Sequence, residues 1–164
     1  VFSSVRYFLI ASLAIAAFAG SASAKKREDP AKFHFEHVSC SGAENEIRLV
    51  VTGVKQAAGR ITADLYPNKE DGFLKSRGRL TQVKFAAKAP STSFCIKAPD
   101  TGVFAIAVYH DKNANNDFDK GALGLPAEPW GISNNPKVRF SAPPVDKALF
   151  EVTETGAEVE IKLN

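Results

Sequence analysis

Seven consecutive apolar residues, Val103-Phe104-Ala105-Ile106-Ala107-Val108-Tyr109, constrain the fold more than any other feature of this chain. The run is bounded by Gly102 on one side and by His110-Asp111 on the other. It is too short for an ordinary helix and reads as a central strand covered on both faces. Shorter period-two runs surround it. Phe33, Phe35 and Val38 begin one, and Ile47, Leu49 and Val51 line a face of the next. Ile61, Ala63 and Leu65 follow, then Val83-Lys84-Phe85 and Phe94-Cys95-Ile96. The C-terminal part adds Val138-Arg139-Phe140, Leu149-Phe150-Glu151-Val152 and Val159-Glu160-Ile161-Lys162-Leu163. Gly53, Gly59, Pro67-Asn68, Gly72, Pro90, Pro99-Asp100 and Gly156 punctuate these runs as turns. No stretch carries a helical period; the segment from Asp64 to Arg79 has room for one short turn near Glu70 to Ser76. Roughly eight or nine short strands imply an all-β fold, an antiparallel β-sandwich, with a small closed barrel as the competing architecture.

The first 24 residues have the make-up of an export signal. Arg6 precedes the apolar stretch from Tyr7 to Ala19, and Ala22 and Ala24 form the small-x-small pattern of a cleavage site. The apolar stretch is shorter than the ~20 residues a bilayer span needs. Residues 25–31 then form a flexible tail and residues 32–164 a single β-sandwich domain. A periplasmic or secreted protein is expected, with no membrane span once the signal is removed. In that setting the two cysteines, Cys40 and Cys95, read as one disulfide; two unpaired buried thiols are the alternative. The net charge is only +3, with acids and bases interspersed, which gives no ground for a nucleic-acid partner.

From His110 to Leu149 the chain is rich in Asn, Asp, Gly and Pro, and is expected to be one long ordered loop. It opens with oxygen-bearing side chains at alternate positions: Asp111, Asn113, Asn115, Asp117 and Asp119. Calcium takes six to eight oxygens at about 2.4 Å, and a curled loop supplies them from alternate residues. Asn116 stands where the EF-hand loop has its glycine. The twelfth position is Ala122 rather than the bidentate glutamate, and no flanking helices are expected. The same residues also build Asx-turns without a metal. Calcium and the metal-free turn are therefore both carried forward.

The loop continues Gly121-Ala122-Leu123-Gly124-Leu125-Pro126-Ala127-Glu128-Pro129-Trp130-Gly131-Ile132-Ser133-Asn134-Asn135-Pro136. His110, Glu128, Trp130, Ser133 and Asn134 offer stacking and hydrogen-bonding groups suited to a binding surface for a sugar, a peptide or a partner strand. Trp130 could equally plug one end of the sandwich, with Glu128 tying the loop to nearby amides. His34 and His37 have an odd spacing that points them to opposite faces of a strand, so they do not form a ligand pair.

The run Gly102 to Asn115, with His110-Asp111-Lys112-Asn113-Ala114-Asn115 at its end, resembles the signature of the bacterial domain-of-unknown-function family 2141. So do Leu123-Gly124-Leu125-Pro126-Ala127-Glu128-Pro129-Trp130-Gly131-Ile132-Ser133-Asn134-Asn135 and the segment Pro143 to Phe150. Phe104 stands for the family's usual Tyr. The resemblance implies an exported β-sandwich of the transthyretin-like or immunoglobulin-like kind, and no known activity. It gives distinctive standing to His110, Asp111, Asn113, Asn115, Gly124, Pro126, Glu128, Trp130, Gly131, Ser133 and Asn134. The hydroxyisourate hydrolases of transthyretin-like fold end in Tyr-Arg-Gly-Ser, which is absent from the C-terminal Glu160-Ile161-Lys162-Leu163-Asn164. The expected function is a non-enzymatic binding or structural module for an unknown ligand or envelope partner. The alternative is a small hydrolase using His110, Asp111 and Glu128, and a purely structural envelope component is the third.

Overall fold

The structure, a computed structural model, describes residues 40–138 and 141–164. The export signal, the tail, the run begun by Phe33 and Phe35, and His34 and His37 lie outside the described residues, as do Arg139 and Phe140. Eight strands run β1 (Glu46–Thr52), β2 (Arg60–Pro67), β3 (Thr81–Ala86), β4 (Ser91–Lys97), β5 (Gly102–Asp111), β6 (Trp130–Ile132), β7 (Phe150–Val152) and β8 (Ala157–Lys162). They form two sheets, β4-β1-β8 and β3-β2-β5-β6, with β7 added against β5. The fold is all-β and, with two separate sheets, sandwich-like rather than a closed barrel.

The core lies between the sheets. Ile47, Leu49 and Val51 of β1 meet Ile61, Ala63 and Leu65 of β2, Phe94 and Ile96 of β4, and Phe104, Ile106 and Val108 of β5. Each large aliphatic side chain buried there contributes about 2 kcal/mol of transfer free energy. Phe85 of β3 stacks on Phe94 of β4 with centroids 3.9 Å apart, joining the sheets along one side. Along the other side, the Asn164 N–H donates to Trp130 O and the Asn135 carboxamide bridges to β8. Cys40 is bonded to Cys95 with Cα atoms 5.4 Å apart, closing a loop of 55 residues worth about 4 kcal/mol in the chain-entropy picture.

Four features differ from the sequence expectation. β1 and β8 pair in parallel, Ile47 opposite Ala157 through Thr52 opposite Lys162, so the sandwich is not purely antiparallel. The long loop is interrupted by β6, which pairs Trp130 with Tyr109 and Ile132 with Ala107. The single turn expected near Glu70 to Ser76 is a 3-10 turn at Ser76–Gly78. Val138 belongs to no strand. β5 is central as expected, flanked by β2, β6 and β7.

The outer face of the β3-β2-β5-β6 sheet is covered too. Every residue of β2 from Arg60 to Tyr66 is buried, including the outward-facing Arg60, Thr62, Asp64 and Tyr66. A second apolar cluster of Tyr66, Phe73, Ala105, Ile132, Val145 and Ala148 lies on this face. The two segments that cover it are tied together where Val145 N–H donates to the Glu70 carboxylate at 2.8 Å.

Candidate functional site

The register of β2 and β5 brings Arg60 directly opposite Asp111. Arg60 Nε lies 3.3 Å from Asp111 Oδ2, and both side chains are buried. The guanidinium also donates to Ala114 O at 2.7 Å and to Asn116 Oδ1 at 2.8 Å, and Lys84 Nζ donates to the same amide oxygen. Asp111 in turn accepts the N–H groups of Asn115 and Asn116 at 3.1 and 3.0 Å. These bonds curl the chain so tightly that Ala114 and Asn116 both take positive φ, 55° and 70°. The bonds to Asp111 compensate the cost of that backbone. Gly59 lies beneath the same loop: with φ +67°, its absent Cβ would stand 2.0 Å from Asp111 O.

The rest of the Asp/Asn ladder is bonded within itself. Asn113 and Asn115 both donate carboxamide N–H groups to Asp119, at 2.7 and 2.9 Å. Their oxygens accept the N–H groups of Asn115 and Asp117. Asp111 is enclosed against Arg60, whereas Asp117 is exposed. Among the described residues the ladder carboxylates do not cluster on one point; the one such group is Cys40, Glu46 and Cys95, whose cysteines are bonded to each other. As arranged here, the five residues form nested Asx-turns.

Glu128 staples both ends of the ladder. One oxygen accepts Lys112 N–H at 3.1 Å and the other accepts Asp119 N–H at 3.2 Å. Burial pushes its carboxyl above the ordinary range, while the two amide donors pull it back. His110 N–H donates to Pro129 O, and its Nε2 is 2.7 Å from Ala58 O. Alternation along β5 puts His110 on the core side with Val108 and Ile106, and Asp111 on the opposite side. His110 thus faces away from Asp111, and no hydrogen bond joins any two of His110, Asp111 and Glu128.

Ser133 is enclosed: it accepts the Ile106 N–H at 3.0 Å and its hydroxyl contacts Ala148 O. Asn134 donates to Leu149 O at 2.7 Å. Both fasten β6 to its neighbours. Gly131 is there because nothing larger fits; a Cβ would meet Ile161 Cγ2 and Lys162 O, each at 2.7 Å.

Beside these braces the outer face opens into a groove of about 570 Å³. Ala107 and Tyr109 form its floor, with Asp64 and Tyr66 from β2 and Trp130 from β6. Ala107 is small and leaves the depression that the surrounding rings wall in. Phe118, Leu125 and Pro126 close one side, and Leu74, Val138 and Ala142 contribute to the rest. Phe118 packs on Tyr109 at 5.2 Å. Burial raises the phenols of Tyr66 and Tyr109, so both remain neutral donors. The wall is set by the ladder: Ala127 N–H donates to Asp119 O at 2.9 Å, and the Gly121 N–H to Leu125 O at 2.8 Å closes the hairpin behind it. Of the expected binding residues, only Trp130 lines this groove. Asp64, Tyr66, Tyr109, Phe118 and Lys120 carry no signal in the sequence, because their convergence depends on strand register.

A family model described as "Uncharacterized protein conserved in bacteria (DUF2141)" matches residues 49–160. The chain belongs to this family. The matched span of this DUF2141 protein takes in the Arg60–Asp111 pair, the ladder, Glu128 and nearly all of both sheets. Neither curated proteins nor solved structures yield a significant match.

Proposed function

We propose that this DUF2141 domain is a non-enzymatic ligand-binding module that holds a small, largely apolar molecule in the groove over Ala107. The observation that carries this reading is the groove itself: four aromatic side chains, Tyr66, Tyr109, Phe118 and Trp130, around a depression of about 570 Å³. That is the size and lining typical of small-molecule sites, which run from about 300 to 1,000 Å³. The Asp/Asn ladder and Glu128 serve as the brace that positions one wall. Export by residues 1–24 into the periplasm or the medium belongs to the same proposal; the Cys40–Cys95 bond suits an oxidising compartment. Among the described residues, no helix is long and apolar enough to cross a membrane.

Trp130 is the only tryptophan, so its emission reports on the groove directly. Titration with a neutral hydrophobic dye should quench it saturably, with a dissociation constant in the micromolar range. Ala107→Phe, which fills the floor, should abolish that quenching while the circular dichroism spectrum stays unchanged. Non-saturable quenching, or equal binding by the filled variant, would overturn the proposal.

Calcium at the ladder is the second reading. It would require Asp111 to exchange Arg60 for the ion and Asn113 and Asn115 to turn their oxygens inward. The hydrolase alternative has no observation in its support.

A further inference from the structure

Two charged residues line the groove among those described, and they differ in one respect. Asp64 is already compensated. Arg79 lies 3.3 Å from both of its oxygens, Gln82 donates to it at 2.8 Å, and the Tyr66 hydroxyl is 3.4 Å away. Lys120 is exposed, and its ammonium has no ion-pair partner among the described residues. It is nonetheless held in place. Its backbone bridges to Pro126, Asp119 N–H donates to Glu128 on one side, and Gly121 N–H donates to Leu125 O on the other. Among the described residues that line the groove, the charge without an ion pair is therefore positive; Asp117 and Asp119, which adjoin Phe118 and Lys120 in the chain, do not line it.

Resting on the groove reading above, we infer that the ligand is an anionic amphiphile, with its apolar body over Ala107 and its head group on Lys120. A cationic ligand would have to displace Arg79 from Asp64 to find a partner. A neutral one would draw nothing from the lysine, whose exposed ammonium stays hydrated. An anionic head placed there forms a charge-assisted hydrogen bond while the lysine stem continues the apolar wall. Leu125, largely exposed at 62 %, lies on the same hairpin and lines the groove. It gains cover when the groove fills.

The test uses three single-chain probes of equal length, decanoate, decanol and decyltrimethylammonium, below their micelle concentrations, followed by Trp130 emission. Decanoate should bind most tightly. Lys120→Ala should weaken decanoate about five-fold or more and leave decanol unchanged. Lys120→Glu should shift the preference to the ammonium probe. Lys120 is exposed, so neither variant is expected to disturb folding. If all three probes bind the unaltered protein equally, or Lys120→Ala weakens all three alike, the anionic assignment is overturned and the groove reading stands. If none of the three binds, the groove reading falls and this inference with it.

Discussion

Arg60 and Asp111 face each other across β2 and β5, Nε 3.3 Å from Oδ2, with 3 % and 0 % of their side chains exposed. Two opposite charges so placed contribute little on balance, but removal of either leaves the other stranded. Asp111→Ala should therefore cost about 3–5 kcal/mol, and Arg60→Met with Asp111→Ala should cost clearly less than the two singles together. Urea denaturation of the four proteins measures this; additive losses would show that the two are not coupled.

Glu128 gives stability a pH signature. Burial raises its carboxyl above the ordinary value of 4.5, so the folded chain keeps a proton that the unfolded chain has already lost. That contribution is complete below the ordinary value and disappears as pH rises through the folded one. The stability difference between the unaltered protein and Glu128→Gln should accordingly shrink as pH rises from about 4 toward neutrality. Gln also presents an N–H to one of the two amides that Glu128 accepts, a loss of about 1–2 kcal/mol throughout. Unfolding curves at stepped pH decide it, and a difference that grows with pH would count against this account.

On the metal-free reading of the ladder, the bonds from Asn113 and Asn115 to Asp119, and from Arg60 to Asp111, hold the loop. Millimolar calcium should then leave the melting temperature where chelator leaves it. An ion held at a hundredth of its ambient concentration would instead stabilise by about 2.7 kcal/mol, a shift of several degrees. Paired melts separate the two outcomes.

Gly131 and Gly124 should respond differently to alanine. At Gly131 a Cβ meets Ile161 and the Lys162 backbone at 2.7 Å, so Gly131→Ala should cost about 1–3 kcal/mol. At Gly124 nothing lies within 4 Å, and Gly124→Ala should cost about 1 kcal/mol for its φ of +72° alone. Similar losses at both sites would mean that β6 and β8 can move apart freely.

The inter-sheet core was legible because Ile47, Leu49, Val51, Ile61, Ala63 and Leu65 alternate with a period of two, and burial follows that period directly. What alternation cannot show is a second covered face. Arg60, Thr62, Asp64 and Tyr66 read as solvent-facing polar partners of an apolar row, yet the loops bury them. The ladder was visible as composition, but its use depends on Arg60, some fifty residues earlier, arriving opposite Asp111. β6 was hidden because Trp130-Gly131-Ile132 is too short to display a period among prolines and asparagines. The parallel partnership of β1 and β8 is likewise a product of topology rather than of either strand's sequence.

That parallel ladder, from Ile47–Ala157 to Thr52–Lys162, has a mechanical meaning. The chain enters β1 at one end of the pair and leaves β8 at the other. Tension applied across the sandwich therefore slides the two strands along each other and loads their hydrogen bonds together rather than one after another. The bridge from Cys40 to Cys95 passes part of that pull to β4 on the far side of β1. A domain strung this way resists traction by shear, and its unfolding under force is governed by the rupture of one ladder.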